Sequence, residues 1–101
     1  MNPHVHQLTP AQAADRTEAV LLDVREASEL AEGRIVGSQH IPLGQLHLRA
    51  VDLDRNRPVI TVCRSGGRSL QAAEFLAAAG FDVANLDGGM SRWIAEGRPT
   101  D

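Results

Sequence analysis

The single cysteine of the chain, Cys63, opens the segment Cys63-Arg64-Ser65-Gly66-Gly67-Arg68-Ser69, with an apolar run before it and an amphipathic run after. A thiol followed at once by two glycines, two arginines and two hydroxyls has the make-up of a reactive thiolate in a cradle for anions. Glycines let several backbone N–H groups converge on one point. At a helix start those groups lack intrahelical partners and carry the positive end of the helix dipole. This field, with Arg64 and Arg68 beside it, favours thiolate over thiol and is expected to lower the Cys63 pKa from the free value of about 8.5. The loop holds no histidine, aspartate or glutamate, which fits a sulfur that the field already holds ionised and that therefore requires no general base.

The loop needs a strand before it and a helix after it. Pro58-Val59-Ile60-Thr61-Val62 is β-branched and bounded by a proline, which predicts a buried strand, and the Ala- and Leu-rich run from Leu70 to Ala79 predicts a helix ending at Gly80. That helix places Leu70, Ala73 and Ala77 on one face. Further strands are predicted near Val5 to Leu8, at Ala19 to Val24, Ser38 to Ile41 and Phe81 to Leu86. Between them, Thr9 or Asp15 caps short helical turns with Pro10 at a first helical position, Glu26 to Glu32 forms a short helix stopped by Gly33, and Leu43 to Leu53 a longer one. Asp87-Gly88-Gly89 leads into a last helix in which Met90, Trp93 and Ile94 cover the core. Alternation of apolar runs with helix-period segments argues for a parallel sheet covered on both faces.

Composition narrows the chemistry. The 101 residues suit one domain spanning positions 1–101, and 43% hydrophobic with only 3% aromatic residues means a core of Ala, Val, Leu and Ile. Net charge is −3, every basic residue is arginine, and no basic tract reaches nucleic-acid density. Without lysine there is neither Schiff-base chemistry nor a Walker-type phosphate loop. The N-terminal residues show neither half of a secretory signal, no stretch approaches a membrane span, and one cysteine cannot form an internal disulfide, so a cytoplasmic location is expected. His4 and His6 can share a strand face, His40 reads as a satisfied core or edge histidine with a place at the site rim as the alternative, and His47 as solvated; none has a partner at metal-ligand spacing, and no metal is expected. Glu26, Glu29 and Glu32 read as a solvated helical face.

Four segments occur in a recognisable order: Leu22-Asp23-Val24-Arg25-Glu26, then Gly33-Arg34-Ile35-Val36-Gly37-Ser38-Gln39-His40-Ile41-Pro42, then the cysteine loop, then Leu86-Asp87-Gly88-Gly89-Met90-Ser91-Arg92-Trp93. Together they resemble a single-domain rhodanese, from about Leu8 to Pro99. The resemblance implies a three-layer α/β/α fold with a central five-stranded parallel sheet and the catalytic cysteine in the loop after the fourth strand. Asp23 and Arg25 match the family's Asp-x-Arg, which braces neighbouring loops; a surface ion pair or strand-end cap worth about 0–1 kcal/mol competes with that reading for Arg25. The second segment departs from the family pattern at Arg34, Val36, Ser38 and His40. Altered packing is the plainer reading of these departures, and a changed partner surface the sharper one.

The activity implied is that of a thiosulfate sulfurtransferase. A Cys63 thiolate attacks the outer sulfur of thiosulfate, expels sulfite and keeps the sulfur as a persulfide, which a thiol, cyanide or a thioredoxin-like acceptor then removes. Arg64, Ser65, Gly66, Gly67, Arg68 and Ser69 would bind the anionic donor, and no cofactor is called for. Cysteine-dependent phosphatases and arsenate reductases are the enzymatic rival, but phosphatases of this fold resemble Cys-x5-Arg, whereas four residues separate Cys63 from Arg68. A persulfide carrier or a regulatory module for a dedicated protein partner stays open.

Overall fold

The computed structural model describes residues 5–101, so His4 and its pairing with His6 lie outside the described residues. Five strands, β1 (His6–Leu8), β2 (Val20–Asp23), β3 (Gln39–His40), β4 (Val59–Val62) and β5 (Val83–Leu86), form one parallel sheet in the order β1-β5-β4-β2-β3. β4 is the middle strand. All four of its residues are buried, which is why its sequence is an unbroken apolar and β-branched run and not an alternating one.

Four helices cover the sheet: α1 (Pro10–Ala14), α2 (Leu46–Arg49), α3 (Gly67–Ala78) and α4 (Gly89–Ala95). On one face Leu46 of α2 and Ala72 and Leu76 of α3 pack with Leu22, Val24, Ile41 and Val59. On the other, Ala13 of α1 and Met90 and Trp93 of α4 pack with Leu8, Ile60, Val62 and Leu86. Each fully buried Leu or Ile contributes about 1.5–3 kcal/mol of transfer free energy, so the two clusters supply the main restoring force of the fold. The five-stranded α/β architecture is as expected.

Local details differ from expectation for physical reasons. Thr9 caps α1 reciprocally with Gln12 and Pro10 takes the first position, while Asp15 closes that helix at its C-terminal end. The segment 43–53 is a four-residue α-helix between two 3₁₀ turns, Leu43–Gln45 and Ala50–Asp52. Gly44 near its start and β-branched Val51 near its end weaken helix propagation, and Leu46 and Leu53 still face inward because 3₁₀ and α spacing place them similarly. In α3 the buried stripe is Ser69-Ala72-Ala73-Leu76, not Leu70-Ala73-Ala77. That phase follows from the helix starting at Gly67, inside the cysteine loop. Met90 and Trp93 are buried as expected, but Ile94 is half exposed on the outer side of α4. Among the described residues no helix is long and apolar enough to cross a membrane.

Candidate active site at the Cys63 loop

Parallel pairing aligns the C-terminal ends of β2 and β4, with Asp23 opposite Val62 and the Val24 N–H donating to Val62 O at 2.9 Å. The loops after these strands therefore emerge side by side. Cys63 is buried directly after β4, and its Sγ receives the Gly66 N–H at 3.1 Å and the Ser69 hydroxyl at 3.3 Å. Burial pushes the Cys63 thiol up; the Ser69 hydroxyl and the backbone N–H groups of Ser69, Gly66 and Ser65 outweigh it, holding the thiol below its ordinary value.

The loop can aim its N–H groups inward because its carbonyls are occupied from outside. Met90 N–H donates to Cys63 O at 2.8 Å and Ser91 N–H to Arg64 O at 2.9 Å, so the first turn of α4 draws both carbonyls away from the sulfur. Gly66 O accepts from Leu70 N–H and from the Asn85 side chain, each at 3.1 Å. Two glycines make this geometry possible. Gly66 has φ +110°, and Gly89, at φ +57°, lies so close to the loop that a Cβ would overlap Cys63 O and come within 2.6 Å of Arg64 O.

Neither Arg64 nor Arg68 hydrogen-bonds the sulfur; each is paired with a glutamate of the facing segment. Arg68 forms a two-pronged pair with Glu29, at 2.7 and 2.8 Å, and Arg64 pairs with Glu32. Arg68 still feels the Cys63 charge through space. Glu29 is held down to about 2, first by its Arg68 hydrogen bonds and then by the Glu26 backbone N–H. Glu29 and Glu32 are therefore not a simply solvated face. They belong to the 3₁₀ turn Ala27–Glu32, which stands over the loop.

That turn is fixed from below by Asp23 and Arg25. The pair is buried, with side chains 1% and 2% exposed, so a surface ion pair is ruled out. Arg25 Nη2 donates to Asp23 Oδ2 and to Gly33 O, both at 2.8 Å, and Nη1 to Glu29 O at 3.2 Å, holding the middle of the turn and its C-terminal cap. His40, on the edge strand β3, bonds Arg25 O at 2.7 Å, so of its alternatives the satisfied edge histidine holds. Of the other departures from the family pattern, Arg34 donates to Ser38 O at 3.0 Å and Val36 is exposed. Nothing in the structure explains why Ser38 carries a buried hydroxyl without a partner.

Asn85 and Thr61 escaped the sequence reading. Thr61 Oγ1 donates to Asn85 Oδ1 at 3.1 Å, and Asn85 Nδ2 reaches Gly66 O, tying the loop to the middle of the sheet. An asparagine in the apolar run Val83-Ala84-Asn85-Leu86 was the available signal, since a buried amide must find partners. Among the described residues no three His, Cys, Asp or Glu side chains cluster as metal ligands would.

A buried, N–H-cradled thiolate at a strand-to-helix turn can act as a nucleophile and hold a terminal anionic sulfur. Comparison with known proteins agrees with that chemistry. The rhodanese-like domain model matches residues 9–96. A thiosulfate sulfurtransferase GlpE of Pseudomonas fluorescens is 42% identical over 86 residues, covering 82% of this chain and 77% of that protein. A sulfurtransferase of Allochromatium vinosum is 36% identical over 87 residues, covering 85% and 81%. The crystal structure of a rhodanese-related protein from Thermoplasma volcanium superposes with a TM-score of 0.92 at 33% identity, covering 95% of this chain and 97% of the other. With its fold, cysteine loop and sequence matches in agreement, this chain belongs to the rhodanese family.

Proposed function

We propose that the protein is a sulfurtransferase that moves sulfane sulfur from thiosulfate or a persulfide donor to a thiol or cyanide acceptor through a persulfide on Cys63. The observation that carries this reading is the pair of hydrogen bonds to Sγ from the Gly66 N–H and the Ser69 hydroxyl at the start of α3. In the first step the Cys63 thiolate attacks the outer sulfur of thiosulfate, the S–S bond breaks, and sulfite leaves with the bonding pair. The terminal sulfur of the resulting Cys–S–S⁻ carries the charge. The N–H groups of Ser65, Gly66, Gly67, Arg68 and Ser69 supply the field that stabilises it, and no proton needs to move. In the second step an acceptor thiolate or cyanide attacks that sulfur and Cys63 leaves as thiolate.

Arg64 and Arg68 orient an anionic donor at the rim while paired with Glu32 and Glu29. Asp23 and Arg25 act as positioning residues, through the turn that carries those glutamates. The same ion pairs favour a second reading, a persulfide carrier loaded by a dedicated protein partner, because they offset the positive charge that would draw a small dianion to the rim. Thiosulfate:cyanide turnover by the parent and by Cys63→Ser tests the proposal. Sulfur transfer by the parent is expected to disappear in a correctly folded Cys63→Ser protein, and retained turnover would rule out Cys63 as the sulfur carrier.

A further inference from the structure

β4 has the cysteine at its C-terminal end and a second concavity, of about 430 Å³, near its N-terminal end. The walls include Ala13 of α1, Leu21 of β2, Ile35 and Val36 of the loop before β3, and Trp93 of α4. Its volume falls within the range of small-molecule sites, about 300–1,000 Å³. It shares no residue with the Cys63 loop or with the segment that braces it.

Charge around this groove runs opposite to that of the chain as a whole. Three of the ten arginines, Arg16, Arg57 and Arg98, line it, and none of the thirteen acidic residues does, although the net charge is −3. Arg98 is held by Glu96 at 3.1 Å, so its charge is already answered. Arg57 donates only to backbone, to Glu18 O at 3.1 Å and Ala19 O at 3.5 Å. The exposed Arg16 guanidinium has no partner among the described residues. Two cations without a carboxylate partner at the rim of an apolar groove complement a ligand with an apolar body and one anionic end. The Trp93 ring is 4% exposed and its Nε1 donates to Pro99 O at 2.9 Å, leaving little aromatic face for stacking; the accessible walls are aliphatic.

We propose that this groove binds a small aliphatic carboxylate, its chain along Leu21 and Val36 and its carboxylate met by Arg16 and Arg57. The inference is independent of the sulfur chemistry, because no residue is common to the two sites. The protein carries one tryptophan and it lines the groove, so its emission reports on occupancy. The full chain is titrated with sodium decanoate below its micelle concentration, following Trp93 emission, with equilibrium dialysis as the direct measure of uptake. Saturable binding of one equivalent is expected. Decanol, which loses the charge-assisted contacts to both arginines, should bind at least about tenfold more weakly, as should decanoate to Arg16→Glu, which replaces one of those contacts with a like charge. Val36→Asp, at a side chain 56% exposed, should weaken decanoate similarly without touching an arginine. No saturable uptake by dialysis, equal binding of decanol, or unchanged decanoate affinity in both variants once circular dichroism shows them folded, would overturn the proposal.

Discussion

The loop from Cys63 to Ser69 stabilises negative charge with backbone N–H groups, whereas the segment facing it, Asp23 to Gly33, stabilises positive charge with carboxylates and carbonyls. The first works within a few residues of sequence and is fixed by carbonyls turned outward onto α4 and Asn85. The second works at long range, with Arg68 reaching Glu29 and Arg64 reaching Glu32 across more than thirty residues. Their difference separates making the sulfur reactive from holding the reactive loop in place. Burial then ranks the holding contacts, from Asp23–Arg25 inside the protein to Arg64–Glu32 at its surface.

This ranking can be broken at three points. Asp23→Ala leaves the Arg25 guanidinium buried without its carboxylate and should cost about 3 kcal/mol, because removing one partner of a buried pair strands the other charge. Urea unfolding measures it; a loss under about 1 kcal/mol would mean that Glu29 O and Gly33 O suffice to hold Arg25.

Glu29→Gln removes a partly exposed charge and should cost about 1 kcal/mol at neutral pH. Its signature is acid dependence. The Glu29 carboxyl lies lower in the folded protein than in the unfolded chain, so its contribution is fully present above about 4.5 and is lost as pH falls toward about 2. Stability of the parent measured across that window should fall by more than that of Glu29→Gln, and parallel curves would show that the pair adds nothing.

Glu32→Gln should do least. Both partners of the Arg64–Glu32 pair are half exposed, 55% and 50%, and such pairs contribute about 0–1 kcal/mol and weaken with salt. An unfolding midpoint within error of the parent is expected, and a larger loss than in Glu29→Gln would invert the ranking.

How much of this was legible in sequence follows the same division. The strands and the cysteine loop could be read because their information is contiguous: β-branched runs, a proline boundary, and a thiol, glycines and arginines in seven consecutive positions. The facing turn could not. Nothing within Glu26 to Glu32 distinguishes carboxylates that meet arginines from carboxylates that meet water, since the partners are supplied by the parallel register of β2 and β4. Gly89 was visible as a turn residue, but its closeness to the Cys63 carbonyl depends on where β5 delivers α4. Ile94 and the broken 43–53 helix show the limit of periodicity, which gives the spacing of apolar residues but neither the phase of a short helix nor its continuity.

Sulfur transfer by this loop requires that sulfur reside covalently on Cys63. Intact mass of the purified protein after incubation with thiosulfate, before and after a reducing thiol, tests that directly. The parent should gain the mass of one sulfur atom and lose it to the thiol, while Cys63→Ser gains nothing. An unchanged parent mass, or the same gain in Cys63→Ser, would contradict it.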